Sequence, residues 1–246
     1  MNKQKKIVIY TAIFGGKDNI TLPTYLPENA DFVCFTDSDI TSDIWDVRKE
    51  ESVSDDPVRS AKIYKVLPHK FLPEYEYSVW IDGNILLRGD VNKLIEKYLS
   101  DVNLAIFDHT QHKKRWKKIF WVKNTEDWRD CVYDEAEYLL ELNEKGNYKD
   151  DPGLIEDQIR KYRNEGYPKH NGLAVTMIIL RRHNEPDVIK TMEDWWKEIQ
   201  GNSRRDQLSF NYTAWKNDLN FVYIKGDSRR NKYFLHTQHK TRKYEK

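Results

Sequence analysis

The chain has 246 residues, 39% hydrophobic and 33% charged, with a formal net charge of +1. That balance excludes an extended disordered chain, and it is too weakly basic for a duplex-binding protein, so no nucleic-acid partner is expected. Cys34 and Cys131, the two cysteines, stand without ligand spacing, which suggests neither a disulfide framework nor a zinc site, and no run approaches the roughly 20 apolar residues that span a bilayer.

Short β-branched and aromatic runs at 7–13 and 31–36, bounded by Gly, Pro, Asn and Asp, are the first two predicted strands. The start, 1–14, lacks a small-residue cleavage site and reads as strand, not signal. Residues 57–72 then turn to a helical period, and 77–81 is strand-like, so the helix should pack beside the strand that ends at Asp82. A short apolar stretch at 85–87, a helix over 91–99 and a strand at 104–107 follow. The charged and aromatic region 108–166 has helices near 134–142 and 155–165 and no strand candidate; it reads as an insertion, about 109–166, on one side of the sheet. A long strand at 172–180, a helix over 186–199 opened by Glu185 or Asp187, a helix from Asp206, strands at 221–224 and 233–235 and a basic tail complete the chain. Strands alternating with helices imply a single α/β domain over 1–246 around a mixed, mostly parallel sheet flanked by helices. A reducing cytoplasm is the simplest location.

Asp82-Gly83-Asn84 places two oxygen-bearing side chains two residues apart at the carboxyl end of a strand, where α/β proteins tend to bind ligands. Such a pair can hold Mn²⁺ or Mg²⁺, which would bridge the protein to a diphosphate, and Gly83 lets the backbone approach. Alone, the tripeptide reads as a turn. The metal reading gains from His236, which follows a strand and offers a third ligand, with Lys240 and Arg242 beyond it as phosphate-facing cations; His239 is the alternative ligand. Arg59, Lys62 and Lys65 step by three along the helix before Asp82, and Arg59 and Lys62 are taken as donor-phosphate contacts over the alternative of a solvated face. Asp206-Gln207 opens a helix: Asp206 either caps it, or its carboxylate or the Gln207 amide faces a sugar carbon that develops positive charge. Asn171-Gly172, before the long strand, and Asp108, at the end of another, read as sugar contacts or as turn and cap residues.

In this order, the segments resemble glycosyltransferase family 8, the group containing glycogenin and the bacterial lipooligosaccharide galactosyltransferases. The counterparts are Arg59/Lys62, Asp82-Gly83-Asn84, Asn171-Gly172, Asp206-Gln207, and His236 with Lys240 or Arg242. A closer resemblance, over nearly the whole chain, is to the family first catalogued as a domain of unknown function whose plant members are glycosyltransferases linked to pectin and seed mucilage. It is carried by IVIYTAIFGG, FVCFTD, RSAKIYKVLPHKFLPEYEYSVWIDGNI, YDEAEYL, EGYPKHNGL, ILRRHN, WW followed by RRDQLSF, and the late His. The resemblance implies a GT-A (Rossmann-like) fold, a nucleotide-diphosphate sugar as donor, a divalent cation, a glycan or lipid-linked acceptor in cell-surface polysaccharide synthesis, and retention of configuration. It also implies that Thr11, Ala12 and Asp37 line the nucleoside pocket. A non-catalytic nucleotide- or carbohydrate-binding domain on the same fold is the alternative, favoured by Asn84 where the motif has a carboxylate.

The stretch 113–123 mixes cations with Trp116, Phe120 and Trp121. It reads as an acceptor platform, as a peripheral contact with anionic lipid at the inner face of a membrane, or as an amphipathic element packing on the core.

Overall fold

The computed structural model describes residues 6–112 and 129–237. Among them the strands are β1 (Ile7–Ile13), β2 (Ala30–Thr36), β3 (Asp46–Lys49), β4 (Tyr77–Ile81), β5 (Ile85–Leu87), β6 (Leu104–Asp108), β7 (Ala174–Arg181), β8 (Val222–Ile224) and β9 (Phe234–His236). All but β5 and β9 form one sheet in the order β3-β2-β1-β4-β7-β6-β8, while β5 and β9 pair antiparallel in a second.

Neighbours in the large sheet are parallel except at β7, which runs against both β4 and β6. The mixed, mostly parallel α/β sheet expected from the sequence is therefore present. Asp108 at the end of β6 pairs with Ala174 at the start of β7, so the chain between them leaves and re-enters at one edge, and an antiparallel pair needs no crossover.

Strand parity sorts the core into two faces. Val8, Tyr10, Val33, Phe35 and Trp80 pack on one side with helices α1 (Pro57–Val66) and α2 (Pro68–Phe71). Ile7, Ile9, Cys34, Val79 and Ile81 pack on the other, under α3 (Asn92–Tyr98) and the β5–β9 pair. Helices α4 (Val132–Glu144) and α5 (Pro152–Asn164) build a third cluster with Leu208 and Tyr212. Helix α6 (Pro186–Gly201), with Asp187 in its first turn, buries Val188, Met192 and Trp195 on the α1 side, and α7 (Phe210–Lys216) follows. Among the described residues no helix is long and apolar enough to cross a membrane.

Two local expectations are corrected, and one strand was not foreseen. The helix predicted over 57–72 is two helices, because Pro68 pushes Leu67 off helical geometry (φ −111°, ψ 49°) and carries no N–H to continue the ladder. The helix expected from Asp206 begins as a 3₁₀ turn, Asp206–Leu208, and becomes α-helical at Phe210. The edge strand β3 has no buried residue and hence no apolar alternation to reveal it.

Candidate functional site

Asp82 follows β4 two residues after Trp80, so it continues the face on which Trp80 packs against α1. The indole Nε1 donates to Asp82 Oδ1 at 2.8 Å, and the Lys65 ammonium lies 3.3 Å from the same oxygen. Three hydroxyls and amides clamp the turn beyond it. Thr21 Oγ1 donates to the Gly83 carbonyl at 2.7 Å, and the Thr237 amide and hydroxyl donate to the Asn84 carbonyl at 2.8 and 2.9 Å. A Cβ at Gly83 would come 3.2 Å from Ile13 Cγ1, so glycine lets the turn lie close to β1.

The β5–β9 pairing sets Ile85 opposite His236, which brings the imidazole to the preceding residue. The side-chain amide of the buried Asn84 lies 3.0 Å from His236 Nε2. This is a hydrogen-bond contact between the amide nitrogen and the imidazole; turned over, the amide would present its oxygen beside the imidazole instead. Carboxylate, amide and imidazole together suit Mn²⁺. Asp82, Asn84 and His236 therefore fit a divalent cation in donor type, with Asp82 Oδ1 facing Trp80 and Lys65 in this structure.

Opposite this turn, Asp206 is buried and held from three sides. Lys65 Nζ lies 2.5 Å from Oδ2, Lys62 Nζ donates to Oδ1 at 3.1 Å, and the Thr176 hydroxyl of β7 donates to Oδ2 at 3.0 Å. Burial acts to raise the Asp206 carboxyl, but the charges of Lys62 and Lys65 prevail and hold it well below the usual carboxylate range. Burial brings the Lys62 ammonium down to about 8, against the attraction of Asp206. Asp206 makes no side-chain cap of the helix that follows; besides the two lysines and Thr176, its Oδ1 accepts only from the amide of the next residue, Gln207, at 3.2 Å among the described residues. The Trp195 indole fixes the turn by donating to the Asp206 carbonyl at 3.1 Å.

Lys62, Lys65, Asp82, Asn84, Thr176 and Asp206 line a cleft of about 810 Å³ at the carboxyl end of β4, whereas His236 is not among its lining residues. Of the sequence-selected residues, Ala12, Lys62, Asp82, Gly83, Asn84, Asp206 and Gln207 line it. Asp37 lies in an adjoining hollow with Gly15 and Ser52, where its Oδ2 accepts the Gly15 amide at 2.9 Å. Thr11, next to Ala12, is buried within β1. Arg59 is drawn elsewhere: its guanidinium donates to the Ile199, Gln200 and Asn202 carbonyls at the negative end of α6. Two steps of three residues turn a helix by about 120° short of full circles, so Arg59 and Lys65 do not share a face.

Asp108 caps its own 3₁₀ turn, accepting from the Thr110 amide and hydroxyl at 2.9 and 2.6 Å. Asn171 and Gly172 form a turn against Asn211 and Tyr223. Gly172 has φ +83°, and a Cβ there would overlap the Tyr223 hydroxyl. Lys240, Arg242 and His239, like the basic aromatic stretch 113–123, lie outside the described residues.

Several cleft residues escaped sequence reasoning. Lys65 was visible in the three-residue row and set aside as a surface lysine, yet its ammonium faces both Asp82 and Asp206. Thr176 sits in an apolar strand without a signal. Glu135, 1% exposed, receives Arg129 at 2.5 Å and faces Arg205 at 3.8 Å, and Arg129 stacks on Tyr138 at 4.0 Å. A second group with metal-binding side chains, Asp130, Cys131, Asp134 and His170, has its ligand atoms within 4.8 Å of one another. Local bonds organise it: the Asp130 amide donates to Asp134, and His170 Nδ1 lies 2.8 Å from Asp130.

Residues 1–239 match the family described as TOD1/MUCI70, glycosyltransferase-like domain. Over 237 residues the chain is 28% identical to the probable hexosyltransferase MUCI70 of Arabidopsis thaliana, covering 85% of this chain and 37% of that protein. Over 231 residues it is 23% identical to the alkaline ceramidase TOD1 of the same plant, covering 83% and 47%. The chain thus spans less than half the length of these relatives. Among solved structures, the apo form of mouse xyloside xylosyltransferase 1 is similar over 89% of this chain and 84% of that one, with 9% identity and a TM-score of 0.45.

Proposed function

The chain belongs to the TOD1/MUCI70 glycosyltransferase-like domain family, and we propose that it transfers a hexose from a nucleotide-diphosphate sugar to a glycan or lipid-linked acceptor, with retention of configuration. The observation that carries this reading is the facing of Asp82 and Asp206 across one cleft, joined by Lys65. Asp82, Asn84 and His236 would hold Mn²⁺ or Mg²⁺, which neutralises charge on the leaving diphosphate when bound. Lys62 and Lys65 add fixed positive charge near that leaving group. The Asp206 carboxylate, kept ionised by the two lysines, or the Gln207 amide stabilises the cationic sugar, while the acceptor hydroxyl attacks from the face the diphosphate leaves and gives its proton to a donor phosphate. Ala12 and Asp37 would border the nucleoside, and assembly of a cell-surface polysaccharide is the proposed setting.

A panel of UDP-, GDP- and ADP-hexoses, assayed for hydrolysis with Mn²⁺, tests this. At least one should be hydrolysed, with turnover reduced more than about 100-fold in Asp206→Asn, in the range of a lost charge-stabilising group. Hydrolysis that survives Asp82→Ala at the wild-type rate would reject the cation site. Asn84, an amide at a carboxylate position, together with Lys65 already paired to Asp82, favours the second reading of a binding domain without turnover. Diphosphate binding with no hydrolysis of any donor would support that reading instead.

A further inference from the structure

A buried charge lies beneath the lysine-carboxylate cluster, away from the cleft surface. Arg181, the last residue of β7, is 0% exposed, and its environment holds no carboxylate partner among the described residues. Its guanidinium donates to the Tyr10 hydroxyl, to the Lys65 carbonyl at 2.8 Å and to the Met192 sulfur at 3.2 Å. Its Nε has no hydrogen-bond partner among the described residues. Burying a guanidinium on neutral dipoles alone is unfavourable, and an apolar side chain of similar volume at such a site is often neutral or stabilising. Stability alone therefore does not account for the residue, and its contacts point to a role in placing its partners.

The Lys65 carbonyl belongs to the last turn of α1, where a helix leaves its carbonyls without internal partners and its dipole is negative. Arg181 donates to that carbonyl from β7, and the Tyr10 hydroxyl donates to it from β1 at 3.0 Å. The Lys65 backbone is thereby tied to two strands of the sheet, and its side chain reaches the cleft. There the ammonium lies 2.5 Å from Asp206 and 3.3 Å from Asp82, beside the Trp80 ring.

We propose that Arg181, assisted by Tyr10, is a positioning residue that fixes the Lys65 ammonium between Asp82 and Asp206. The geometric part stands on these contacts; only its kinetic consequence rests on the glycosyl-transfer reading. Arg181→Met removes the anchor with little change of volume, and Tyr10→Phe removes the second donor while keeping the ring.

The first readout is amine labelling of the full chain, followed at single lysines by mass spectrometry, with the exposed Lys197 as internal reference. Wild-type Lys65, 3% exposed, should react slowly. In Arg181→Met it should react at least fivefold faster relative to Lys197, with an unchanged or higher melting temperature, whereas a merely structural arginine would lower the melting temperature and loosen buried lysines together. Unchanged Lys65 protection overturns the proposal, whether or not the chain hydrolyses any nucleotide sugar. If Arg181→Met does not fold, Tyr10→Phe decides: at least twofold faster Lys65 labelling supports the anchor, and no change overturns it. The kinetic readout is a double-mutant cycle on whichever UDP-, GDP- or ADP-hexose is hydrolysed. Arg181→Met should lower kcat at least tenfold, and Arg181→Met with Lys65→Met should be no slower than Lys65→Met alone; multiplicative losses would show that Arg181 does not act through Lys65 and overturn the proposal. Failure of every donor with Lys65 labelling as expected would reject the glycosyl-transfer reading and leave the anchor standing.

Discussion

Two ammonium groups, Lys62 and Lys65, face Asp206, and Lys65 also faces Asp82, so the cluster sets two cations against two carboxylates at the cleft. Its pH dependence follows from two opposite shifts. The Asp206 carboxyl is depressed, so its contribution to stability is complete above the unfolded carboxyl value of about 3.9 and is lost only as pH falls through the lower folded value. Lys62 is depressed to about 8 by burial. Between that value and the unfolded lysine value of about 10.4, the unfolded chain binds the additional proton, so this group's share of stability rises with pH. Ligand binding should move the other way, because Lys62 of the folded chain loses its charge around pH 8. We expect the affinity for a nucleoside diphosphate, measured by titration calorimetry, to weaken between pH 7 and pH 9, and Lys62→Met to abolish most of that dependence. An equal slope in Lys62→Met would assign the titration to another group.

The elements explain why the motif residues meet. Parity on β4 aims Trp80 and Asp82 at α1, and the β5–β9 register carries His236 to Asn84 across 152 positions of sequence. The same scale separates structural glycines from functional ones. Gly172 holds a left-handed turn packed on Tyr223 and Asn211, so Gly172→Ala should cost about 1–3 kcal/mol in denaturant unfolding. Donor hydrolysis by its folded fraction should stay within about twofold of wild type. A large fall in kcat at unchanged stability would restore Gly172 as a sugar contact. The turn reading of Asn171-Gly172 was legible from residue type, as was the strand ending at Asp82. The break at Pro68 was encoded in the proline, but the helical period read over 57–72 ran through it. The capture of Arg59 by the α6 carboxyl end was not, because nothing in residues 57–66 encodes which helix end packs against them.

At the scale of the molecule, a sheet with one reversed strand brings the end of β4 and the start of β7 to one edge, where the Asp82 amide donates to the Met177 carbonyl at 2.9 Å. The cleft at this edge takes residues from both halves of the chain, so ligand binding should stabilise the whole unit. With Mn²⁺ and a nucleoside diphosphate at about 100 times its Kd, stability should rise by roughly 2.7 kcal/mol. In a thermal-shift assay EDTA should remove the increment and Mn²⁺ restore it; an increment indifferent to EDTA would indicate diphosphate binding by Lys62 and Lys65 without a cation.

What the sequence determined by itself was local in origin: strands and helices from their periods, the turn at Asp82-Gly83-Asn84, and, through the order of its motifs, the family. The tertiary structure alone decided which cations reach the carboxylates. Lys62 and Lys65 turn toward Asp206 while Arg59, on the same row, turns to α6, and a buried Arg181 is tied to the Lys65 backbone. The reason is physical. Period and turn chemistry are properties of neighbouring residues, whereas the partner of a long charged side chain depends on which helix end, strand or carboxylate the fold brings within a few ångströms of it.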